Sequence, residues 1–533
     1  MPHEIGSAPR AGAQTPRATR RRFPAIERRS LYALGLGAAS VAGFAPLYLF
    51  PLPIVTLALL IWLWRGAESP KRAAVTGWWF GLGFFLVGVS WVYVSLHTFG
   101  SMPWPLAAIG TFLFCAYLSV FPAAAGYVFA IVRGPIWLKA AVVTPAAWTL
   151  TEWMRGWLFP WIGMGYSQVP VSPLAGYAPV LGIYGVTWIM VLGAALLTLA
   201  GEAVLHGRHR AHAAPAVKRS PLLLVPFAAF IVLMLGGHAL KQIRWTSPDG
   251  EPVSVTLLQG NIPQELKWTH EGLRTTLITY RELALASRSR LIVFPETALP
   301  LFLRDVPEDY LESIADHARQ NGGDALIGVP ERLAGGDYYN TVISLGMSPP
   351  QFYRKTHLVP LGEFIPLRPL LGWIVGVLAI PLQDFSRGST DAQPLAIAGQ
   401  RVAVDICYED AFGEEIIRQL PQATILVNVS NVAWFGRSIA PEQHLQISQA
   451  RALETGRYML RATNTGMTAV VNERGRVVDV APQFATATLT SLVQGYVGAT
   501  PYVRTGNAVI LVLCAILLTA GFLYARLRPL KRT

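Results

Sequence analysis

Charge and cysteine are both scarce in this chain. Only 14% of its 533 residues are Asp, Glu, Lys or Arg, while 52% are hydrophobic. Soluble domains ordinarily carry about a quarter charged residues, so the composition excludes an ordinary soluble enzyme. Three cysteines cannot build a disulfide framework. Cys115 in TFLFCAYL and Cys514 in LVLCAILL lie inside apolar runs, which leaves Cys407 alone in the charged part of the chain. Clustered Cys and His, an HExxH pair, a Walker loop and a GxGxxG turn are also missing. No metal and no cofactor are therefore expected. The first 30 residues hold seven Arg and no apolar run, so they form no cleavable signal by themselves. The hydrophobic stretch that follows leads straight into others and reads as a retained anchor.

The charge that is present falls unevenly. Residues 239–506 contain 26 of the 31 acids and 23 of the 44 Lys and Arg, a net of −3, and the remainder carries +16. The basic balance thus belongs to tails and short loops, where the positive-inside rule acts, and not to a nucleic-acid-binding face. A membrane span needs about 20 apolar residues. Candidate runs are 31–49, 51–64, 73–96, 104–132, 135–151, 180–200, 221–237 and 507–524. Basic residues mark alternate connections, among them RGAESPKR (65–72) and RHRAHAAPAVKR (208–219). The sequence thus predicts a polytopic α-helical membrane protein of about eight spans with both termini cytoplasmic. Its expected parts are a basic tail (1–30), seven spans (31–238), an outer domain (239–506), an eighth span (507–525) and a second basic tail (526–533).

Between the fifth and sixth runs lies TEWMRGWLFPWIGMGYSQ (151–168), rich in Trp and Gly, with Glu152 and Arg155 three apart. It reads either as an interfacial aromatic belt with an i,i+3 ion pair or as a half-buried loop lining a lipid-headgroup site.

The outer segment has a different texture. Short β-branched runs recur at 253–259, 290–295, 325–330, 341–345, 401–407, 423–430 and 468–478, the last with a hairpin turn in NERGRVV. Helical patterns lie at 271–287, 308–321 and 441–455. Several strands are apolar on both faces, as in a sheet covered on both sides, so an α/β domain is predicted.

Three of its stretches share one form, an apolar strand that ends in a reactive side chain. LIVFPETALP presents Glu296, QFYRKTHLVPLGEFIP presents Lys355 with Glu363 eight residues later, and RVAVDICYEDAF presents Cys407. Strand ends on one sheet edge are where α/β sites assemble. Each residue alone has a plainer reading: a solvated turn carboxylate, a surface lysine, a core thiol. Together they supply a base, a cation and a nucleophile. The ammonium would favour the thiolate and stabilise an oxyanion, and the carboxylate would move the thiol proton. Asp405, Glu409 and Asp410 crowd Cys407 and oppose ionisation, so Lys355 is expected to outweigh them. A Cys/His pair using His357 or His444 remains open on spacing alone.

These motifs resemble the nitrilase (carbon–nitrogen hydrolase) superfamily. With apolar spans on both sides they resemble its bacterial apolipoprotein N-acyltransferase branch. The similar stretches include LQGNIPQELKW (258–268), FPETALP (294–300), YYNTVISLG (338–346), YRKTHLVPLGEFIP (353–366), ICYED (406–410) and NVSNVAWFG (428–436). TEWMRGWLF and TPYVRTGN also match. The resemblance implies a nitrilase-like αββα sandwich on the periplasmic face of the inner membrane, with Glu296 as base, Lys355 as oxyanion-stabilising cation and Cys407 as nucleophile. It implies supporting roles for Glu363, Tyr408 and Glu409, and places Trp268, Asn340, Trp434 and Phe435 near the site or on its loops. The implied reaction moves an acyl chain from a phospholipid through a Cys407 thioester to a diacylglyceryl-modified apolipoprotein, by an enzyme acting as a monomer. One departure is Val432, where the family pattern has Asp. The alternatives are a membrane-tethered amidase of nitrilase type and a non-catalytic membrane scaffold.

Overall fold

The computed structural model describes residues 27–213, 224–360, 362–365 and 385–527. The Arg-rich start of the chain and most of the C-terminal basic tail, both assigned from sequence to the cytoplasm, lie outside the described residues.

Helices occupy the apolar runs: Arg28–Ser40, Pro51–Arg65, Pro70–Gly88, Trp104–Ile131, Thr144–Gly156, Ala178–Ala213, Val225–Leu240 and Ala508–Leu527. Prolines open several of them, where a missing N–H costs nothing. Small residues let them meet closely. A Cβ on Gly37 would lie 1.9 Å from the Phe80 carbonyl oxygen, and one on Gly83 would lie 2.0 Å from that of Leu34. The first and third helices therefore touch backbone to backbone. The expected run 73–96 is not one straight helix, since Pro70–Gly88 gives way to Val92–Phe99 through a 58° bend. Among the described residues, three helices are long and apolar enough to cross a membrane: Trp104–Ile131, Pro173–Leu205 and Ala508–Leu527. A fourth joins them if the bent pair is one span.

In the segment that follows Thr144–Gly156 the two charges do more than pair with each other. Glu152 and Arg155 are both buried. Arg155 Nη1 donates to the carbonyls of Phe159 and Trp161 at 2.6 and 2.8 Å. Glu152 accepts from Met164 N and Thr187 Oγ1 at 2.9 and 2.7 Å. Each side chain braces the loop that follows, because buried charges must be met by hydrogen bonds where no water reaches them.

The outer segment forms two six-stranded sheets. One runs β12–β1–β2–β3–β4–β5 and the other β11–β10–β9–β8–β7–β6. The first comprises β1 (Ser247–Gln259), β2 (Leu291–Val293), β3 (Asp324–Arg332), β4 (Tyr338–Gly346), β5 (Phe352–Arg354) and β12 (Ala487–Val497). The second comprises β6 (Leu395–Ile397), β7 (Gln400–Ile406), β8 (Ile425–Ser430), β9 (Tyr458–Thr463), β10 (Ala469–Val471) and β11 (Val477–Val480). Each sheet has three parallel strands at its centre and antiparallel strands outside them.

Period-2 alternation divides each strand between two cores. Val255, Leu257, Val293 and Leu326 face Val404, Ile406, Val427 and Leu460 between the sheets. Leu258, Ile292 and Ile327 turn outward onto the helices His270–Ala286 and Glu308–Gln320. Ala403, Leu426 and Met459 turn outward onto Ala440–Thr455. The result is the four-layer αββα sandwich.

The helix Ala440–Thr455 is unusual because it is polar in composition yet buried on every side. One side lies on the second sheet. On the other, Gln443 accepts from Trp91 Nε1 and Trp161 Nε1 at 3.2 and 2.9 Å, and Gln446 donates to the carbonyls of Tyr166 and Val169 at 2.9 and 2.8 Å. Gln449 accepts from Tyr48 at 3.2 Å. The glutamines satisfy backbone and indole groups of the apolar helices, which a leucine could not do. Gly456, with φ of 64°, ends the helix in the left-handed conformation that suits glycine.

Candidate active site

Strand ends deliver the reactive side chains. Glu296 follows β2, Lys355 follows β5 and Cys407 follows β7. Lys355 Nζ lies 2.9 Å from Glu363 Oε1 and 3.6 Å from Glu296 Oε1. Asn340 Nδ2 donates to both carboxylates, at 2.7 Å to Glu296 and 3.3 Å to Glu363. The N–H groups of Asn431 and Val359 complete the set, donating to Glu296 Oε2 at 2.8 Å and Glu363 Oε2 at 2.9 Å. Both carboxylates meet only donors. Burial alone would lower the Lys355 ammonium, but Glu363 and Glu296 more than offset it and hold it above the ordinary lysine range.

Cys407 stands at φ of 56°, a left-handed conformation that costs a non-glycine residue about 1–3 kcal/mol. The chain turns there from β7 into the short 3-10 helix Cys407–Ala411. The thiol is half-buried. Burial pushes its pKa well above the ordinary range, Glu296 adds to this, and Lys355 pulls the other way without reversing it. What opposes ionisation here is burial and Glu296, with Asp405, Glu409 and Asp410 turned elsewhere, and this direction suits a site in which a base takes the thiol proton during attack. Alkylation of Cys407 by iodoacetamide is accordingly expected to quicken steadily from about pH 7 to about pH 10, because only the thiolate reacts. Second-order rates followed by mass spectrometry check this, and a plateau below about pH 8 would mean a preformed thiolate.

The acids around Cys407 point in separate directions. Glu409 accepts from Ile406 N, Thr356 N, Thr356 Oγ1, His357 N and Tyr353 OH, all within 2.7–2.9 Å, and ties the Lys355 loop to the turn at Cys407. Asp405 shares the outward face of β7 with Ala403 and accepts a short hydrogen bond from Asn428 Nδ2. Burial and Asp410 push its carboxyl well above the usual range. Burial opposes ionisation of Asp410 too, yet His444 and Arg461 hold its carboxyl below the usual range.

Of the remaining expected residues, Tyr408 OH donates to the Leu158 carbonyl at 3.2 Å, on the loop braced by Arg155. Phe435 packs on Trp91 and Trp161 at centroid distances of 4.7 and 6.0 Å. Trp434 meets Phe99 edge-on at 6.1 Å, and its carbonyl accepts from Ser95 at 2.8 Å. Both aromatics therefore lie on the seam with the apolar helices. Trp268 is 60% exposed, and no hydrogen bond or ring contact joins it to Glu296, Lys355 or Cys407 among the described residues. Val432 is buried, which suits valine in place of Asp. His357 Nδ1 lies 3.0 Å from Glu415, so that imidazole is already engaged.

Sequence reasoning missed Lys267, Asn431 and the polar cluster beneath Cys407. Lys267 precedes Trp268 and is buried beside Glu296. Burial pushes its ammonium down to about 8, with Glu296 pulling it back up. Its sequence signal was slight, a lysine between Leu266 and Trp268 in a stretch that also carries Gln264 and Glu265.

A four-layer sandwich with Glu, Lys and Cys at its strand ends defines a carbon–nitrogen hydrolase domain. Residues 254–502 match the carbon–nitrogen hydrolase family model, and residues 36–196 match that of the apolipoprotein N-acyltransferase N-terminal domain. The apolipoprotein N-acyltransferase of Nitrosomonas europaea is 54% identical over 93% of this chain and 97% of its own. Those of Methylococcus capsulatus and Chromobacterium violaceum are 44% and 43% identical. The alignments cover 93% and 91% of this chain, and 96% and 92% of theirs. The chain belongs to the apolipoprotein N-acyltransferase family.

Proposed function

We propose that the protein transfers an acyl chain from a phospholipid to the N-terminal α-amine of a diacylglyceryl-cysteine lipoprotein, through a thioester on Cys407. The observation that carries this reading is the Glu296–Lys355–Glu363 cluster beside Cys407, in a domain that shares one buried core with apolar helices. Tyr408, Ala440 and Ile447 of the domain belong to the same apolar cluster as Phe84, Trp148 and Ile189.

Glu296 takes the thiol proton as the Cys407 sulfur attacks the ester carbonyl of the phospholipid. The Lys355 ammonium stabilises the developing oxyanion. Collapse breaks the bond to the glycerol oxygen, Glu296 returns the proton to it, and a lysophospholipid leaves. The neutral α-amine of the acceptor then attacks the thioester. Glu296 takes the amine proton and gives it to the departing Cys407 sulfur, so amide and thiol are regenerated. A covalent intermediate lets one site serve two bulky lipids in turn.

The arrangement of parts is eight spans, with both termini cytoplasmic, the domain 239–506 on the periplasmic face and the enzyme acting as a monomer in the inner membrane. The alternate placement of basic connections supports this orientation. Incubation with phospholipid is expected to add the mass of one acyl chain to the Cys407 peptide, and a diacylglyceryl lipopeptide should then remove it. Turnover of small amides with no acylated lipopeptide would favour an amidase. Absence of any Cys407 adduct would favour a scaffold.

A further inference from the structure

We infer that His444 is a positioning residue, a clamp on the Cys407 peptide carbonyl that holds the nucleophile in its left-handed turn. The inference deepens the proposed reading of the site and rests on it.

The cluster lies between the second sheet and the helix Ala440–Thr455. Asp405, Asn428 and Arg461 stand side by side across β7, β8 and β9, as the strand register pairs 405 with 428 and 428 with 461. His444 and Ser448 project onto them from one side of the helix, four residues apart. Two side chains reach the Cys407 carbonyl oxygen, Asn428 Nδ2 at 3.0 Å and His444 Nε2 at 3.2 Å.

The protonation of His444 follows from its partners. Nε2 also lies 2.8 Å from Asp410 Oδ1. Both neighbours of Nε2 are acceptors, so Nε2 carries the proton and donates a forked hydrogen bond. Nδ1 is buried without a hydrogen-bond partner among the described residues. A neutral imidazole with its single proton on Nε2 accounts for all of this. Asp410 is fixed in turn by Ser448 Oγ at 2.6 Å and Arg461 Nη1 at 3.4 Å. The Trp161 ring, 5.0 Å from the imidazole, closes the other side.

Carboxylate and imidazole here resemble a base with its orienting acid. The imidazole, however, is aimed at a carbonyl that carries no proton to abstract, which sets aside the Cys/His pair for His444. A peptide at φ of 56° relaxes to a negative φ unless something over-determines it. Two donors on the carbonyl, set on a strand and on a packed helix, supply that restraint. Neither relies on the substrate, so the turn is held before lipid arrives.

The test compares His444→Gln, His444→Asn and His444→Phe in the full-length protein in detergent or bilayer. Gln places an amide donor where Nε2 lies, Asn reaches only as far as Nδ1, and Phe fills the space without a donor. Gln is expected within about threefold of the unaltered rate of Cys407 thioester formation at saturating phospholipid. Asn and Phe should fall by about tenfold or more with KM for phospholipid little changed. Alkylation of Cys407 by iodoacetamide, which needs no lipid, should follow the same order. A merely structural role would lower the yield of folded protein equally for all three and leave the rate per folded molecule unchanged, which overturns the inference. Should Phe not fold, the order of Gln and Asn decides, and Asn as fast as Gln also overturns it. Failure of the unaltered protein to form a thioester would sink the proposed function, while the alkylation series still reads the clamp.

Discussion

Glu296→Gln should abolish thioester formation for practical purposes, with a fall of about 10³–10⁴ in the acylation rate and little loss of fold. Burial and Glu296 itself both disfavour the thiolate. Without a base the reaction waits on a thiolate that is scarce at neutral pH. The substitution is nearly isosteric. Asn340 Nδ2 and Asn431 N now both donate to the carboxylate. An amide oxygen can satisfy one and its NH2 faces the other, a local cost of about 1–3 kcal/mol. Lys355 keeps Glu363 at 2.9 Å. Acyl-adduct yield on the Cys407 peptide, read beside a thermal melt, separates chemistry from stability. A native acylation rate would show that the proton leaves by another route.

Lys355→Met should be nearly as damaging to activity, by about 10³, and far more damaging to the fold. Its ammonium is 1% exposed and lies between Glu296 and Glu363. Removing it leaves two carboxylates facing each other in a buried space, and breaking a buried pair in this way costs about 3–5 kcal/mol. Like charges at close range repel, so the loss should show in stability as well as in rate. Thioester yield and a denaturant melt measure the two effects. Retention of both activity and stability would remove Lys355 from the site. The neighbouring Lys267 is a buried second ammonium near Glu296, and its charge limits how far the pair is pushed.

Much of this was legible in the sequence, for physical reasons. Strand segments apolar on both faces, such as Ile425 to Val427, declare themselves because each face lies against a core. The three strand-end residues stood out because a reactive side chain followed an apolar run. β9 was missed because Tyr458–Thr463 carries Arg461, a charge that disqualifies a buried strand until Asp410 and Asn428 are seen to meet it. β12 was missed because it alternates polar residues on an antiparallel edge beside β1. The i,i+3 spacing of Glu152 and Arg155 suggested a pair, and it gave no sign of the loop partners that each also holds. His444 stood out in the sequence only as a candidate partner for the thiol, since nothing local distinguishes a histidine aimed at a carbonyl from one aimed at a sulfur. The helical pattern at 441–455 was legible but its burial was not, because the polar side of that helix is covered only by the apolar helices of the rest of the chain.

That buried helix sets how the catalyst is mounted. Its glutamines are fastened to Trp91, Trp161, Tyr166 and Val169, while His444 on the same two turns touches the Cys407 carbonyl. Tyr408, next to the nucleophile, is fastened to Leu158. The domain is thus bolted to its base and not hung from it by a leash. Cys407 is thereby fixed relative to the apolar helices, through His444 on one side and Tyr408 on the other. In the acyl transfer proposed above, the donor ester has to come to the sulfur, because the sulfur is not free to travel to the ester.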